Sequence, residues 1–321
     1  MKEEITLPSP GAARRTLTGG AGRRRLYDRL AEVGITVVAL IAIAVILLIF
    51  VYVGREALPL VWGTSEGVTL ASPFSFPYSW QPVSTVPKYN VFPLIIGTLK
   101  VTLIAMLMGV PLALAAALYT AEFAPRRLRE WIKPTIELFA GIPSVVLGSF
   151  ALLVLASWLQ TSLGLVYRLN ALAAGIALSF AVIPIIYTVS DDSLTAVPRL
   201  YREASLALGA SKAQTALRVV LPAAMPGIAA AIILGFGRAI GETMIVLMVS
   251  GNSAILSLNP VLPVRTLSAT VAAEMAEVVV GSAHYRILFF IGALLFLITA
   301  LLNWVGDRFN RKLRERLFGS A

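Results

Sequence analysis

Two ionisable residues lie inside an otherwise apolar run, Leu234-Gly235-Phe236-Gly237-Arg238-Ala239-Ile240-Gly241-Glu242-Thr243-Met244. An arginine at membrane depth costs about 2.5–3.5 kcal/mol on insertion scales, so it faces a bundle interior or an aqueous cavity and needs a reason to be there. A guanidinium offers a planar fork of donors that grips two oxygens of an oxyanion at once. Glu242 stands one turn on and is placed to pair with Arg238, in the weaker arginine-first order. Gly237 and Gly241 form a small-xxx-small ridge that permits close approach of a second helix. The pattern suits transient contact with an anion; it equally suits an ion pair that locks a helix interface.

A second constellation has docking character. Pro198 suits the start of a helix, Gly209 its exit, and Ser211 with Gln214 reads as a capping box that opens a second short helix, which Pro222 is expected to stop. Small residues at Ala204, Ser205 and Ala207 leave a face that another protein surface can approach closely, edged by Arg199, Arg202 and Glu203. An amphipathic helix lying on a membrane surface is the other reading of this stretch. Other chemistries lack material. The chain has no cysteine and a single histidine, His284, so thiolate sites, histidine clusters and histidine-based triads are excluded. No GxxxxGK[ST] loop occurs, so no nucleotide site, cofactor or metal is expected on this chain.

The elements that position these residues are membrane helices. With 58% hydrophobic and 14% charged residues, the 321-residue chain has too little polar surface for a soluble globule. Its mean hydropathy is +0.83. Apolar runs of the length that crosses a bilayer, about 20 residues, fall near 33–53, 94–120, 135–160, 171–190, 223–250 and 286–305. They lack the period-two alternation of a membrane barrel. The expected fold is therefore an all-α integral membrane protein with six spans, a transmembrane domain over 29–321 behind a disordered basic tail at 1–28. Of the 27 Lys and Arg, 20 fall in 1–32, 121–134, 191–222 and the tail after 305, against four in the intervening loops. Both termini are expected to be cytoplasmic.

Smaller features refine that picture. Glu137 lies one turn from Lys133 and is expected to pair with it. Gly141-Ile142-Pro143 should kink the third span. The external loop 54–93 interleaves prolines with Trp62, Phe74, Phe76, Tyr78, Trp80, Tyr89 and Phe92, a membrane-interface belt or a surface for a soluble partner. An amphipathic stretch from Ser268 to Val280 is expected to form a short helix over the outer mouth.

Glu203-Ala204-Ser205, three residues, Gly209, nine residues, then Val219-x-Leu221-Pro222 resembles the EAA loop of bacterial ABC importer permeases. That resemblance implies a coupling helix in which Glu203, Ala204, Gly209, Leu221 and Pro222 seat in a cleft of a separate ATPase subunit. Ser205 and Val219 stand where the family usually has Ala and Ile. Gly237-Arg238-Ala239-Ile240-Gly241-Glu242-Thr243-Met244 with Gly251-Asn252, and Ala140-Gly141-Ile142-Pro143-Ser144-Val145-Val146, resemble the phosphate-specific (Pst) permeases. Trp80-x-Pro82 ahead of Pro93-Leu94-Ile95-Ile96-Gly97-Thr98-Leu99 is similar to the PstC type. The resemblance covers roughly residues 80–310. It implies a non-enzymatic subunit of the bacterial cytoplasmic (inner) membrane that carries phosphate inward. It further implies an ATPase dimer, a second related permease chain and an extracytoplasmic phosphate-binding protein as partners, with membrane lipids around it and no nucleic acid. In that family Arg238 and Glu242 match the charged pair associated with transport. Another oxyanion, molybdate or sulfate, is the nearest alternative cargo, and a secondary transporter or channel a more distant one.

Overall fold

Six helices of the computed structural model are long and apolar enough to cross a membrane. The structure describes residues 21–61, 72–74 and 79–318. The first 20 residues of the expected basic tail, and Trp62, Phe76 and Tyr78 of the aromatic loop, lie outside these. Of the described residues, those from Ala21 to Arg55 form one compact unit and those from Glu56 onward a second. Helix α1 spans Ala21–Val61, so it begins inside the stretch expected to be tail. Its most apolar window has no buried residue on the single chain.

In the second unit a two-stranded antiparallel ribbon, β1 (Trp80–Gln81) and β2 (Lys88–Tyr89), pairs Trp80 with Tyr89. Helix α2 follows over Phe92–Phe123. It starts where the Asn90 side chain accepts from the Phe92 N–H and Pro93 occupies the first turn, a position that needs no N–H. Helix α3 is Arg126–Ala140, α4 Ser144–Leu163 and α5 Ala171–Thr195. The last is opened by Asn170, whose Oδ1 accepts from the Ala173 N–H at 2.9 Å. Then come α6 (Arg199–Ala207), α7 (Lys212–Gly241), α8 (Met244–Val249), α9 (Leu267–Glu274) and α10 (Ala283–Phe318).

Lipid tails are as apolar as leucine, so these helices are held by close packing of small residues rather than by water exclusion. The core shows it: Ala105, Ala113 and Ala117 of α2 meet Ala173, Ala174, Ala177 and Ala181 of α5, all buried. A Cβ on Gly175 would stand 2.5 Å from Cγ2 of Ile104, and one on Gly235 of α7 would stand 2.6 Å from Cγ1 of Ile186. These two glycines let α5 lie against α2 and α7 at backbone distance. A second cluster, Leu60, Trp80, Tyr89, Leu94, Leu267 and Ile287 among them, lies beside the ribbon.

Two expected spans are broken. The third run divides at Gly141, because Pro143 has no N–H to donate and biases Ile142 away from helical backbone. Pro143 takes an extended conformation at ψ 137° and its carbonyl accepts the first N–H groups of α4. The expected kink is a full break between α3 and α4. The fifth run stops at Gly241 and resumes at Met244. Conversely, Pro222 does not stop a short second helix. A π-helical turn over Ala216–Val220 shifts the hydrogen-bond register, with the Leu221 N–H reaching the Ala216 carbonyl, so the proline falls where its missing donor is not needed.

The loop after α8 turns back on itself. Gly251 and Asn252 adopt positive φ (79° and 52°), and Gly251 bridges Val264. The carbonyls of Pro260 and Leu262 cap the start of α5 by accepting from Leu172 and Ala171. Lys100, in the third turn of α2 and buried, donates from Nζ to the carbonyls of Ser257 (2.8 Å) and Asn259 (2.9 Å). Helix α9 is less amphipathic than the sequence suggests. Leu267, Ser268, Ala269 and Thr270 are all buried, and Thr98 of α2 accepts from the Leu267 N–H.

Candidate functional site

The hairpin between α5 and α7 has the geometry its sequence encodes. Pro198 caps α6 in extended conformation. Gly209 sits at φ +85°, where a side chain would be strained, and its N–H donates to the Leu206 carbonyl. Ser211 Oγ accepts from the Gln214 N–H while Gln214 Oε1 accepts from the Ser211 N–H, a closed capping box. Ser205 Oγ and Thr215 Oγ1 lie 2.9 Å apart and tie the two arms together. Leu200, Tyr201, Leu206 and Leu208 project from the hairpin, Leu208 at 89% exposure, with Glu203 and Ala204 exposed between them. Leu221 and Pro222 are half-buried at the base of the second arm. A projecting apolar patch of this kind on a charged edge is suited to meet another protein or a membrane surface.

Sequence reasoning gave Arg202 only an edge role, and the structure gives it the anchor. Its Nη2 lies 2.7 Å from Oε1 of Glu122 at the end of α2, and Nε also donates to Glu122. Nη1 and Nη2 donate to the carbonyls of Val197 (2.6 Å) and Leu194 (2.8 Å), which end α5. One side chain thus joins the hairpin to the ends of α2 and α5. Eighty residues separate Arg202 from Glu122, so no local spacing signals the pair.

A second ionic knot joins α3 to the same end of α5. Lys133 does not pair with Glu137. Its Nζ donates to Oδ1 of Asp192 at 2.8 Å and to Oδ2 of Asp191 at 3.3 Å, and Arg129 stands 3.9 Å from Asp191. The hydrogen bond from Lys133 to Asp192 holds the lysine pKa above its ordinary value, with the charges of Asp191 and Asp192 adding to it and burial opposing. An acidic pair fixed by tertiary packing outcompetes the single carboxylate one turn away.

Glu137 is left free to face Arg238. Both line an open cavity of about 350 Å³, walled by Ala140 of α3 and by Ala181, Pro184, Ile185 and Thr188 of α5. Arg238 is exposed on the single chain and, among the described residues, has no hydrogen bond or ion pair. The expected Arg238–Glu242 pair is not formed. Glu242 lies past the helix end with extended backbone (ψ 130°). Its carbonyl accepts from Ser268 Oγ at 2.9 Å and its Oε1 from the Thr243 N–H. An i,i+4 pair requires an unbroken helix between its members, and Ser268 of α9 captures the carbonyl that would continue the turn. On the single chain the expected glycine ridge is open: among the described residues nothing approaches the Cβ position of Gly241, and Gly237 meets only the Asn303 side chain at 3.7 Å. The close approaches of α7 fall instead on its opposite flank, at Gly235.

At the other end of the molecule Glu274, which closes α9, collects three partners. Arg265 lies at 2.7 Å, Trp80 Nε1 donates at 3.0 Å, and His284 Nε2 stands at 3.2 Å. Burial alone would raise the Glu274 pKa, but the hydrogen bonds from His284 and Trp80 and the charge of Arg265 outweigh it and hold it below the ordinary glutamate value. Tyr89 stacks on His284 with ring centroids 5.6 Å apart. The ribbon is pinned to α9 and α10 by this one carboxylate.

Residues 109–317 match the family model of the binding-protein-dependent transport system inner membrane component. The probable ABC transporter permease protein YqgH of Bacillus subtilis (strain 168) is 34% identical over 291 residues, covering 89% of this chain and 93% of that protein. The phosphate transport system permease protein PstC of Mesorhizobium japonicum is 33% identical over 279 residues, covering 81% and 84%. Among solved structures, a bacterial ABC transporter involved in import of the acidic polysaccharide alginate superposes with a TM-score of 0.63 at 14% identity, over 90% of this chain and 99% of that one. An inward-facing methionine ABC transporter, MetNI, gives a TM-score of 0.54 at 20% identity over 68% and 93%. At these identities the structural likeness shows the fold.

Proposed function

This chain belongs to the binding-protein-dependent transport system inner membrane components, a multi-pass permease subunit and not an enzyme; from that premise we propose that its cargo is inorganic phosphate. The relatives at 33–36% identity named PstC support that cargo. The carrying observation is Arg238, a membrane-span arginine left exposed and unpaired beside a cavity. An arginine so placed needs a counter-charge or water. A phosphate oxyanion supplies the charge and fits the guanidinium fork. Glu137 lines the same cavity without pairing with Arg238, and its charge repels an anion that lingers there. Glu242 contributes through backbone. By ending α7 four residues beyond Arg238, it sets where the charged face stops.

The exposed faces of Arg238 and Gly241 meet a second, related permease chain, which closes the path. Glu203, Ala204, Gly209, Leu221 and Pro222, with the projecting Leu200, Tyr201, Leu206 and Leu208, seat the hairpin in an ATPase subunit on the cytoplasmic side. Arg202 passes the movement of that subunit to α2 and α5 together. An extracytoplasmic phosphate-binding protein delivers cargo at the opposite end, where the ribbon stands.

The test is uptake of labelled phosphate into vesicles that hold the whole complex, with molybdate and sulfate as competitors. Phosphate uptake that depends on ATP and resists the other oxyanions is expected. Arg238→Lys keeps the charge without the fork and should lower uptake, and Arg238→Gln should abolish it with assembly intact. Unchanged transport by assembled Arg238→Gln would make this arginine structural, and uptake without ATP would favour a secondary transporter.

A further inference from the structure

We infer that the cleft between α7 and α10 is a binding site for a monoanionic phospholipid with a hydroxylated headgroup, phosphatidylglycerol in type. Two cavities adjoin along this helix pair. The first, about 330 Å³, is walled by apolar side chains, among them Ile232, Ile233 and Phe236 of α7 and Leu302, Val305 and Phe309 of α10. The second, about 420 Å³, lies one turn further toward the C-terminal end of α10 and changes character abruptly. Pro226, Gly227 and Ala230 form its α7 wall, and Asp307, Asn310, Arg311 and Arg314 its α10 wall. An apolar slot running into a polar, basic cup has the shape and polarity of a phospholipid, acyl chain in the slot and headgroup in the cup.

The charges select among headgroups. Neither Arg311 nor Arg314 makes an ion pair among the described residues, and Asp307, one turn from Arg311, is also unpaired. Arg308 is turned away, its guanidinium 4.9 Å from the Trp304 ring centre. Two arginines and one aspartate leave the cup one unit positive, the complement of a single phosphodiester. A zwitterionic headgroup would bring an ammonium group toward the arginines. Asn310 gives a second selector. Its Oδ1 is shielded from water with no hydrogen-bond partner among the described residues, an unmet acceptor of the kind native proteins rarely keep. A headgroup hydroxyl supplies the missing donor once the amide turns into the cup. The basic flank of α10 lies at the membrane face enriched in Lys and Arg, where anionic lipid is attracted. This site is separate from Arg238 and does not depend on the identity of the cargo.

The test uses the whole complex, extracted mildly from membranes that contain both phosphatidylglycerol and phosphatidylethanolamine, with co-purified lipid quantified by mass spectrometry. Phosphatidylglycerol should be enriched over its share of the bulk membrane. Losing Arg311 and Arg314 together, as Arg311→Gln with Arg314→Gln, should lower that enrichment roughly twenty-five-fold, about fivefold for each charge. Asp307→Asn should raise it, a direction that mere damage to the fold would not give. Leu302→Trp should lower retention by filling the slot while leaving the cup intact. Equal retention of the two lipids by the unaltered complex, or full retention by the double variant, would overturn the inference. So would a cysteine at Val305, in a chain that has none of its own, that crosslinks in membranes to a neighbouring permease chain, since the cleft would then be a protein interface.

Discussion

Removing Arg202 should uncouple the hairpin from the membrane helices without touching the surface proposed to meet the ATPase. Glu122 is 7% exposed in its side chain and Arg202 21%, so Arg202→Ala leaves a nearly buried carboxylate without its counter-charge. It also removes the Arg202 donor from the Val197 carbonyl and leaves the Leu194 carbonyl the longer bond from the Val197 N–H, at 3.4 Å. Breaking a buried pair by deleting one partner costs about 3–5 kcal/mol. Arg202 keeps some solvent, so the cost here falls nearer 2–3 kcal/mol. If that energy holds the hairpin in its docking-competent position, the competent fraction falls and apparent ATPase affinity falls with it. The loss is at most about thirtyfold for 2 kcal/mol and about 150-fold for 3 kcal/mol. Glu122→Gln leaves Arg202 its two carbonyls and an amide oxygen, and should cost a few-fold only. The assay is ATPase titration onto permease complexes in lipid nanodiscs, run as a double-mutant cycle with Glu122→Ala. Because the two side chains share one interaction, the double variant should lose far less than the sum of the singles. Strict additivity, or unchanged affinity in Arg202→Ala, would refute the anchor and the transmission route built on it.

Gly209→Val places a β-branched side chain at φ +85°. This costs on the order of 1–3 kcal/mol, so ATPase co-purification should fall while membrane insertion, followed by protease protection, stays normal. A cysteine at Ser84 on the exposed ribbon tip should react with an impermeant thiol reagent added outside spheroplasts, and one at exposed Ser211 should not; the reverse pattern would invert the topology. The Glu274 knot should loosen in acid. A carboxyl whose folded pKa is depressed stabilises above the unfolded pKa, and that stabilisation is lost as pH falls through the folded value. Protease resistance of the ribbon should therefore drop on acidification below the ordinary glutamate range, and Glu274→Gln should be susceptible already at neutral pH.

Local rules read well from the sequence where both partners of an interaction lie within a few residues. Gly209 and the Ser211–Gln214 box are found as expected because helix ends are decided by neighbours. The six spans are legible because an apolar run of bilayer length has few alternatives. What the sequence hides is the partner of each charge. Lys133 has Glu137 one turn away yet bonds Asp192 on another helix, and Glu122 meets an arginine 80 residues on. Helix breaks inside apolar runs are hidden for the same reason, since Glu242 leaves the helix where a serine of α9 arrives to take its carbonyl. Arg238 is the extreme case. Its type and depth announce a function, but its pairing cannot be read even from the folded chain, because on one chain it is exposed and unanswered. An expensive charge left open at a surface is itself informative. With the apolar hairpin equally uncovered, it leaves open the two faces that the proposed second permease chain and ATPase would cover.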